Sequence, residues 1–297
     1  MKPQNTLILS LAFVLLARPA ACQEERQPAS EPASDRAVIR RVMELGGSVK
    51  LGRSGEVIEV MLRGEHVTDA TLEPMNGLTS LSELDIHGTR VSDAGLKHLE
   101  GLTELRTLSV SSPRLTGAGL VHLKGLTNLQ TLSLGGLRVT DAELEHLKGL
   151  TSLRALTLFG PGITDAGLEH LNGLTDLHEL HLGNTSVADA GLECLKGLTG
   201  LRILDLSFTR VTDAGLEHLE RLTELRYIVL GGTKITDAGL VHLKEHTSLG
   251  SVDVHRTEVT DAGLEHLKGL SRLYRIGFSE TKVTDAGLVH LERLTEL

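Results

Sequence analysis

Histidine recurs every 24 residues along most of this chain, in the same place within a series of similar segments. The eight members of this histidine column are His98, His122, His146, His170, His218, His242, His266 and His290. One zinc ion needs ligand nitrogens about 2.0–2.1 Å away, whereas packed helices lie about 8–10 Å apart. Histidines on successive helices therefore cannot easily converge on one ion. We interpret the column as surface positions near helix ends, and we expect neither a metal site nor a cofactor.

One member of the column also opens a short catalytic motif. His242, Glu245 and His246 match the H-x-x-E-H pattern of inverted zinc peptidases. A zinc hydrolase at this point is an alternative function, but no third ligand is evident and the helix would be too short. His246 replaces a leucine of the other segments. We expect it to disturb local packing or to turn towards water.

A second pattern places an acid two residues before a histidine. The three pairs are Asp85 with His87, Glu179 with His181, and Asp253 with His255. An acid can orient an imidazole for base catalysis, yet no nucleophile is fixed beside any pair. The chain also has no phosphate-binding loop or nucleotide fingerprint. We therefore expect no catalytic residues and interpret the pairs as polar residues of a binding face.

A repeat of 24 residues, without insertion or deletion, positions all of these side chains. Its consensus is T-D-A-G-L-E-H-L-K-G-L-T-x-L-x-x-L-x-L-x-G-T-x-V, numbered here as positions 1 to 24. Copies 1 to 9 begin at Thr68, Ser92, Thr116, Thr140, Thr164, Ala188, Thr212, Thr236 and Thr260, and a partial copy 10 begins at Thr284. Strict repetition at this period predicts a stacked solenoid.

Each copy contains one strand pattern and one helix pattern. Apolar residues at positions 17 and 19 alternate with polar ones, which predicts a strand over positions 16 to 20. Positions 1 to 9 predict a short helix, with threonine as N-cap and aspartate at position 2 complementing the helix dipole. Strands lie about 4.8 Å apart and helices about 8–10 Å apart. The stack should therefore curve, with strands on the concave side and helices on the convex side.

The segment L-x-x-L-x-L-x-x-T-x-V resembles the core of leucine-rich repeats, and T-D-A-G-L is similar to the opening of bacterial 24-residue repeats of that family. The resemblance covers Val57 to the C-terminus. It implies an α/β fold, a right-handed leucine-rich-repeat solenoid. In the family, asparagine at position 22 forms a buried ladder. Here threonine fills that position at Thr89, Thr185, Thr209, Thr233, Thr257 and Thr281, and Pro113, Leu137 and Pro161 interrupt it. We expect altered turns at those three interruptions.

The strand face, at positions 16, 18 and 20, changes character along the chain. Copies 2 and 3 carry only small residues there: Thr107, Ser109, Ser111, Thr131, Ser133 and Gly135. Larger side chains begin in copy 4, and an aromatic residue stands at position 21 of copy 6. Aromatic residues are enriched at protein interfaces. We predict a partner-binding patch at Phe159, His181, Ile203, Phe208, Tyr227 and Val229.

The N-terminal residues predict export. Residues 1–22 have the basic start, apolar run and small residues of a secretory signal peptide. Cys22 is a candidate lipidation site, since part of a lipoprotein cleavage box precedes it, and Cys194 then stands alone as a bystander. Residues 23–34 predict a disordered linker. Residues 35–67 predict a helix and a hairpin that cap the solenoid at 68–297.

The composition of the chain argues against some classes of binding partner. The chain has 39 acidic against 30 basic residues, a net charge of −9, which argues against nucleic acid and anionic membrane surfaces. No apolar run is long enough for an integral membrane span. The last strand pattern, residues 275–279, has no following strand to cover it. That open edge allows self-association.

The resemblance implies a non-enzymatic scaffold that binds a protein partner on its concave face. We expect it to act outside the cytoplasm, secreted, in the periplasm or at the cell envelope. A structural envelope protein that self-associates is an alternative. An F-box-like adaptor or effector is a weaker alternative, because a signal sequence stands where an F-box domain would precede the repeats.

Overall fold

The computed structural model describes residues 33–135 and 138–297. The predicted signal peptide, the lipidation site at Cys22 and nearly all of the predicted linker lie outside these residues. So does Leu137, one of the three interruptions of the threonine positions. The domain boundaries therefore stay predictions at the N-terminal end.

One sheet runs through the described part of the chain, with its strands in sequence order. The strands are β1 (Ser48–Leu51), β2 (Val57–Met61), β3 (Glu83–His87), β4 (Thr107–Ser111), β5 (Thr131–Gly135), β6 (Ala155–Leu158), β7 (Glu179–His181), β8 (Ile203–Asp205), β9 (Tyr227–Val229), β10 (Ser251–Asp253) and β11 (Arg275–Gly277). β1 and β2 are antiparallel, and every later pair is parallel. The predicted parallel sheet is confirmed, although from β7 onwards the strands cover only positions 16 to 18.

A short helical segment precedes each repeat strand. The α-helices are α1 (Ala33–Glu44), α2 (Asp69–Leu72), α3 (Asp93–Leu96), α4 (Asp141–Leu144), α5 (Asp165–Leu168), α6 (Asp189–Glu193), α7 (Asp213–Leu216), α8 (Asp237–Leu240) and α9 (Asp261–Leu264). The 3-10 segments are Glu73–Gly77, Lys97–Leu99, Ala118–Leu123, Glu145–Leu147, Glu169–Leu171, Glu217–Leu219, Val241–Leu243, Glu265–Leu267 and Asp285–Leu291. The helical region thus consists mostly of one α-turn tightened into a 3-10 turn. Among these segments, no helix has the length and apolar character needed to cross a membrane.

The core is a continuous stack of leucines between the strands and the helical turns. Positions 5, 8, 11, 14, 17 and 19 point inward in successive copies and are nearly all fully buried, as Leu96, Leu99 and Leu108 illustrate. Burying apolar surface stabilises a fold by about 25 cal/mol per Å². Because each copy contributes the same set, the core extends without a break through the repeats.

At the N-terminal end, α1 packs against the β1–β2 hairpin. Val38 and Val42 are buried on the core side of the helix, and Gly46, with φ +70°, follows its C-terminus. The helix begins at Ala33, so Asp35 lies in its first turn and not at its N-cap position. Asp35 instead accepts a hydrogen bond from Val57 N at 3.2 Å and so ties the helix to the hairpin.

An aspartate ladder joins successive copies. In copy 8, Asp237 Oδ1 accepts from Thr260 N at 2.7 Å, and its Oδ2 accepts from Thr260 Oγ1 at 2.7 Å. The position 2 carboxylates that contact position 1 of the next copy are Asp69, Asp93, Asp141, Asp165, Asp189, Asp213, Asp237 and Asp261. Glycine at position 4 makes room, because a Cβ on Gly263 would lie 2.4 Å from Asp237 Oδ1. The T-D-A-G sequence therefore encodes contact between copies as well as the start of a helix.

Between copies 3 and 4 the aspartate of the ladder is missing, and a glutamate of copy 4 accepts the hydrogen bonds in its place. Copy 3 has Gly117 at position 2, and copy 4 has Glu143 where glycine normally stands. Glu143 Oε2 accepts from Thr140 N at 2.9 Å and from Thr140 Oγ1 at 2.6 Å. The two unusual residues compensate for each other, and the hydroxyl of position 1 keeps its acceptor.

The threonines of position 22 act within their own copies. In all six, Oγ1 donates to the carbonyl oxygen three residues earlier. They satisfy the turn, as predicted, but they do not link one copy to the next. Near the interruptions the turns differ: the Ser112 hydroxyl accepts from Arg114 N at 3.2 Å, and Ser112 lacks the positive φ of most position 21 residues. Gly160 has φ +120°, whereas the φ angles of Gly88, Asn184, Phe208, Gly232, Arg256 and Glu280 lie between +55° and +70°.

Candidate functional site

The strand face has two parts. In copies 2 and 3 the strands are in register, with Thr107 opposite Thr131 and Ser109 opposite Ser133. We call positions 16, 18 and 20 of these copies the small-residue face. It is even and polar, and it offers a partner no large side chain.

Farther along, copies 6 to 9 carry aromatic side chains on and beside the strand face. We call this the aromatic face: Phe208, Tyr227, His255 and Tyr274. Three of these rings stand out into solvent, since Phe208 is 43% exposed, Tyr227 39% and Tyr274 47%. In water such rings leave apolar surface uncovered, which distinguishes this part of the solenoid from the small-residue face.

The six residues of the predicted patch are distributed over several strands. His181 lies in β7, Ile203 in β8, and Tyr227 and Val229 in β9, while Phe159 follows β6 and Phe208 lies in the turn after β8. The register brings Ile203 opposite Tyr227 on neighbouring strands. Phe159 belongs to copy 4, two copies before Phe208, and is separated from the aromatic face by β7.

Two tyrosines from different copies form a hydrogen-bonded pair. Tyr274 Oη donates to Tyr227 Oη at 2.7 Å, and the rings meet edge to face with centroids 6.4 Å apart. Gly250 lies between them, since a Cβ there would come within 2.7 Å of Tyr274 Cε1. The hydrogen bond to Tyr227, together with slight burial, raises the pKa of Tyr274 above its ordinary value. Tyr274 therefore remains protonated at neutral pH.

Phe208 has the backbone conformation that position 21 takes in most copies, as Asn184, Arg256 and Glu280 do. Its φ is +55°, in the left-handed region, which costs a residue with a Cβ about 1 kcal/mol or more. Its ring lies over Gly232 and meets the His255 ring edge to face, with centroids 5.7 Å apart. A phenylalanine thus occupies a position where the consensus has glycine, and it presents its ring at the surface.

Acid–histidine contacts on this face only partly follow the sequence pattern. Asp253 Oδ1 lies 2.9 Å from His255 Nδ1, as the spacing predicted. His181, however, pairs across the strands with Asp205, Nδ1 to Oδ2 3.8 Å, and not with Glu179. Burial alone would raise the pKa of Asp205, but His181 and the hydrogen bonds from Ser207 hold that pKa below its ordinary value.

The third pair, near the N-terminal end, is not an orienting pair. Asp85 Oδ1 accepts from the backbone N of His87 at 3.1 Å, and its Oδ2 lies 3.0 Å from Arg63 Nη2. Burial, together with the neighbouring Glu59, raises the pKa of Glu83 on the same strand. This end of the sheet is crowded with carboxylates, in contrast to the small-residue face beside it.

The zinc-peptidase motif is divided between surface and core. His242 Nδ1 lies 2.8 Å from Glu220 Oε1 of the preceding copy. His246 is 0% exposed, and its Nε2 lies 3.0 Å from the Leu219 carbonyl oxygen. The expectation that His246 turns towards water is wrong, because the backbone carbonyl gives it a partner inside the core. The described residues contain no group of three or more His, Cys, Asp and Glu side chains placed to hold a metal ion.

A shallow cavity of about 310 Å³ opens beside the tyrosine pair. Its lining residues are Arg226, Tyr227, Ser248, Gly250, Arg272 and Tyr274. The sequence analysis did not predict this cavity or Tyr274, and it named His255 only as half of an acid–histidine pair on the binding face. One feature of the sequence could have pointed to Tyr274. The chain has only two tyrosines, and Tyr274 occupies position 15, where copies 2, 4, 6 and 7 have arginine.

Comparison with known proteins agrees with this architecture. The family model described as Leucine Rich repeat matches residues 198–219. The crystal structure of an internalin (inlF) from Listeria monocytogenes is 19% identical, with a TM-score of 0.57, and the match covers 89% of this chain and 93% of that one. An internalin C2 structure from the same organism is 17% identical, with a TM-score of 0.40 and coverage of 90% of each chain. No curated protein matches the chain. The fold is an α/β leucine-rich-repeat solenoid, as the resemblance implied.

Proposed function

We propose, from the premise that the chain is a leucine-rich-repeat solenoid, that it binds a protein partner without catalysing a reaction. The contact surface would be the strand face of copies 4 to 9, which holds the predicted patch and the aromatic face. We propose in addition that the protein is exported, on the evidence of the apolar N-terminal run alone.

The exposed rings of the aromatic face carry this proposal. Phe208, Tyr227 and Tyr274 are the large apolar side chains on this side of the sheet that solvent reaches most. Rings of this kind, close to arginine, are the residues that contribute most to protein–protein binding.

The scaffold suits recognition more than catalysis. Its strands are held by the ladder and by a continuous core, so little backbone entropy is lost when a partner binds. The face is open, and His181 and His255 each contact a carboxylate. Neither histidine has a serine, cysteine or threonine nucleophile as a hydrogen-bond partner among the described residues.

Affinity capture with the whole chain tests the proposal. The bait would be compared with a Phe208→Gly, Tyr227→Ala variant and with a control variant, Val121→Ala, Val289→Ala, which removes exposed apolar side chains from the helical side. We expect one protein from the envelope or secreted fraction to bind the wild type and the control but not the first variant. Equal recovery by all three baits would refute the strand face as the binding surface.

Self-association through the β11 end is the second candidate. Ile276, Phe278 and Val283 are only partly buried, whereas the equivalent Val252, Val254 and Val259 of the preceding copy are fully buried. A second copy of the chain could cover this surface. Multi-angle light scattering of the wild type and a Phe278→Asp variant would decide: oligomers that dissociate in the variant support it, and a monomer at all concentrations excludes it.

A further inference from the structure

We infer that the cavity between Tyr227 and Tyr274 is a carboxylate-binding site, and that its ligand is an acidic segment of a polypeptide. The inference rests on the proposed function, since it specifies the chemistry of the protein partner. It places the main polar contact at the edge of the sheet where the strands begin, beside the exposed rings.

The two arginines of the cavity have no acidic partner. Arg226 and Arg272 are both exposed, and within residues 33–135 and 138–297 no carboxylate is within ion-pair distance of either guanidinium. Arg256 and Lys282, in the same part of the solenoid, are paired with Glu280 and Glu258. In a chain with a net charge of −9, two unpaired guanidinium groups beside one cavity favour an anionic ligand.

The tyrosine pair adds a hydrogen-bond donor to the cavity. Because Tyr274 Oη donates to Tyr227 Oη, the hydroxyl hydrogen of Tyr227 remains free to donate to a ligand. Gly250 allows this arrangement, since any side chain there would meet the Tyr274 ring. The cavity thus offers two planar guanidinium forks and one phenol hydroxyl, a donor set that matches a carboxylate.

The surroundings favour a polypeptide over an isolated anion. Position 15 is also basic in copies 5 and 6, with His178 and Arg202 preceding Arg226 on adjacent copies. Adjacent strands lie about 4.8 Å apart, so these side chains extend the positive edge away from the cavity. An acidic segment laid along that edge would place one carboxylate in the cavity and its neighbours near Arg202.

Fluorescence polarisation with a labelled octaglutamate peptide tests the inference. We would compare the wild type, an Arg226→Gln, Arg272→Gln variant, and a control variant, Arg106→Gln, Arg114→Gln, which removes two exposed arginines from copy 2, away from the cavity and the positive edge. We expect the first variant to bind about tenfold more weakly or worse, since charge-assisted hydrogen bonds are lost, and the control to bind like the wild type. Tyr227→Phe should weaken binding several-fold while leaving the ring in place.

Three outcomes would overturn the inference: no binding to the wild type, equal loss in both arginine variants, or selective binding of heparin in place of octaglutamate. The last result would assign the cavity to an anionic polysaccharide. All of these side chains are exposed, so unchanged melting temperatures check that the variants fold. If the captured partner is still held by the Arg226→Gln, Arg272→Gln variant, the proposed function stands and only the carboxylate site fails.

Discussion

Copies 2 and 3 and copies 6 to 9 have the same interior and different surfaces. Leu132 in copy 3 and Leu204 in copy 6 occupy the same repeat position, and both are 0% exposed. On the strand face, however, hydroxyls and glycine in the first region are replaced by rings, imidazoles and carboxylates in the second. The comparison teaches that the buried positions, which pack against neighbouring copies, keep the same residues throughout the repeat. The outward positions vary and are free for recognition.

The largest expected effect tests the shared interior. Leu132→Ala and Leu204→Ala should each lower the free energy of unfolding by about 2–5 kcal/mol, because each leaves a cavity in a fully packed core. Urea denaturation followed by circular dichroism would measure both. A cost below about 1 kcal/mol at one site only would mean that the two regions do not share one core.

The next effect concerns the altered ladder between copies 3 and 4. Gly117→Asp should cost about 1–3 kcal/mol, because a side chain at Gly117, where φ is +95°, would crowd Glu143 and its hydrogen bonds to Thr140. Adding Glu143→Gly should recover most of that loss by restoring the usual ladder.

Asp189→Ala is the matched variant for the ordinary aspartate ladder, at the junction between copies 6 and 7. It removes the acceptor of the Thr212 amide and hydroxyl, and should also cost about 1–3 kcal/mol. If the double variant at 117 and 143 is no more stable than Gly117→Asp alone, the two residues do not compensate for each other.

A smaller effect separates the two kinds of position 21 glycine. Gly88 and Gly232 have φ +70° and +69°, but a Cβ on Gly88 meets nothing, whereas one on Gly232 would lie 2.5 Å from Phe208 Cδ1. Gly88→Ala should cost about 1 kcal/mol from backbone strain alone. Gly232→Ala should cost roughly 1 kcal/mol more, since the Phe208 ring must move and loses its contact with His255.

Adding Phe208→Gly to Gly232→Ala provides the control. The extra cost should disappear, because the obstructing ring is gone, and the remaining loss should match that of Gly88→Ala. An unchanged difference between the two glycine sites would show that the Phe208 ring does not rest on Gly232 in solution. Thermal unfolding of these three variants, beside the wild type, would measure these differences.

The smallest effect is a contrast in pH dependence between two carboxyl groups, Glu83 in β3 and Asp205 in β8. Glu83 has a raised pKa, so its contribution favours folding at low pH and is lost as pH rises from its ordinary value of 4.5 through the raised one. Asp205 has a lowered pKa, so its contribution is present above 3.8 and is lost as pH falls through the lowered value. Carboxyl titration by NMR should place Glu83 above 4.5 and Asp205 below 3.8, and the reverse order would contradict the burial and the His181 contact.

Part of the aromatic face could be predicted from the sequence, but its contacts could not. Phe208 and Tyr227 stood out because large rings replaced glycine or small residues at known repeat positions, and both prove to be exposed. Tyr274 was missed, since its repeat position was assigned to the approach to the strand and not to the face. The predicted turn of His246 towards water was wrong, because the sequence does not show that the Leu219 carbonyl is directed at the substituted position.

The sequence by itself determined the solenoid. Leucine spacing specifies which side of every strand and helical turn is buried, and an unbroken period of 24 residues places equivalent positions side by side. Only the tertiary structure decided which side chains of different copies meet, as Tyr227 meets Tyr274 and His181 meets Asp205. It also decided that Glu143 takes the place of an aspartate as the acceptor of Thr140. Burial depends on a periodic pattern that single residues cannot alter, whereas such contacts depend on side-chain direction and on differences of an ångström between neighbouring copies.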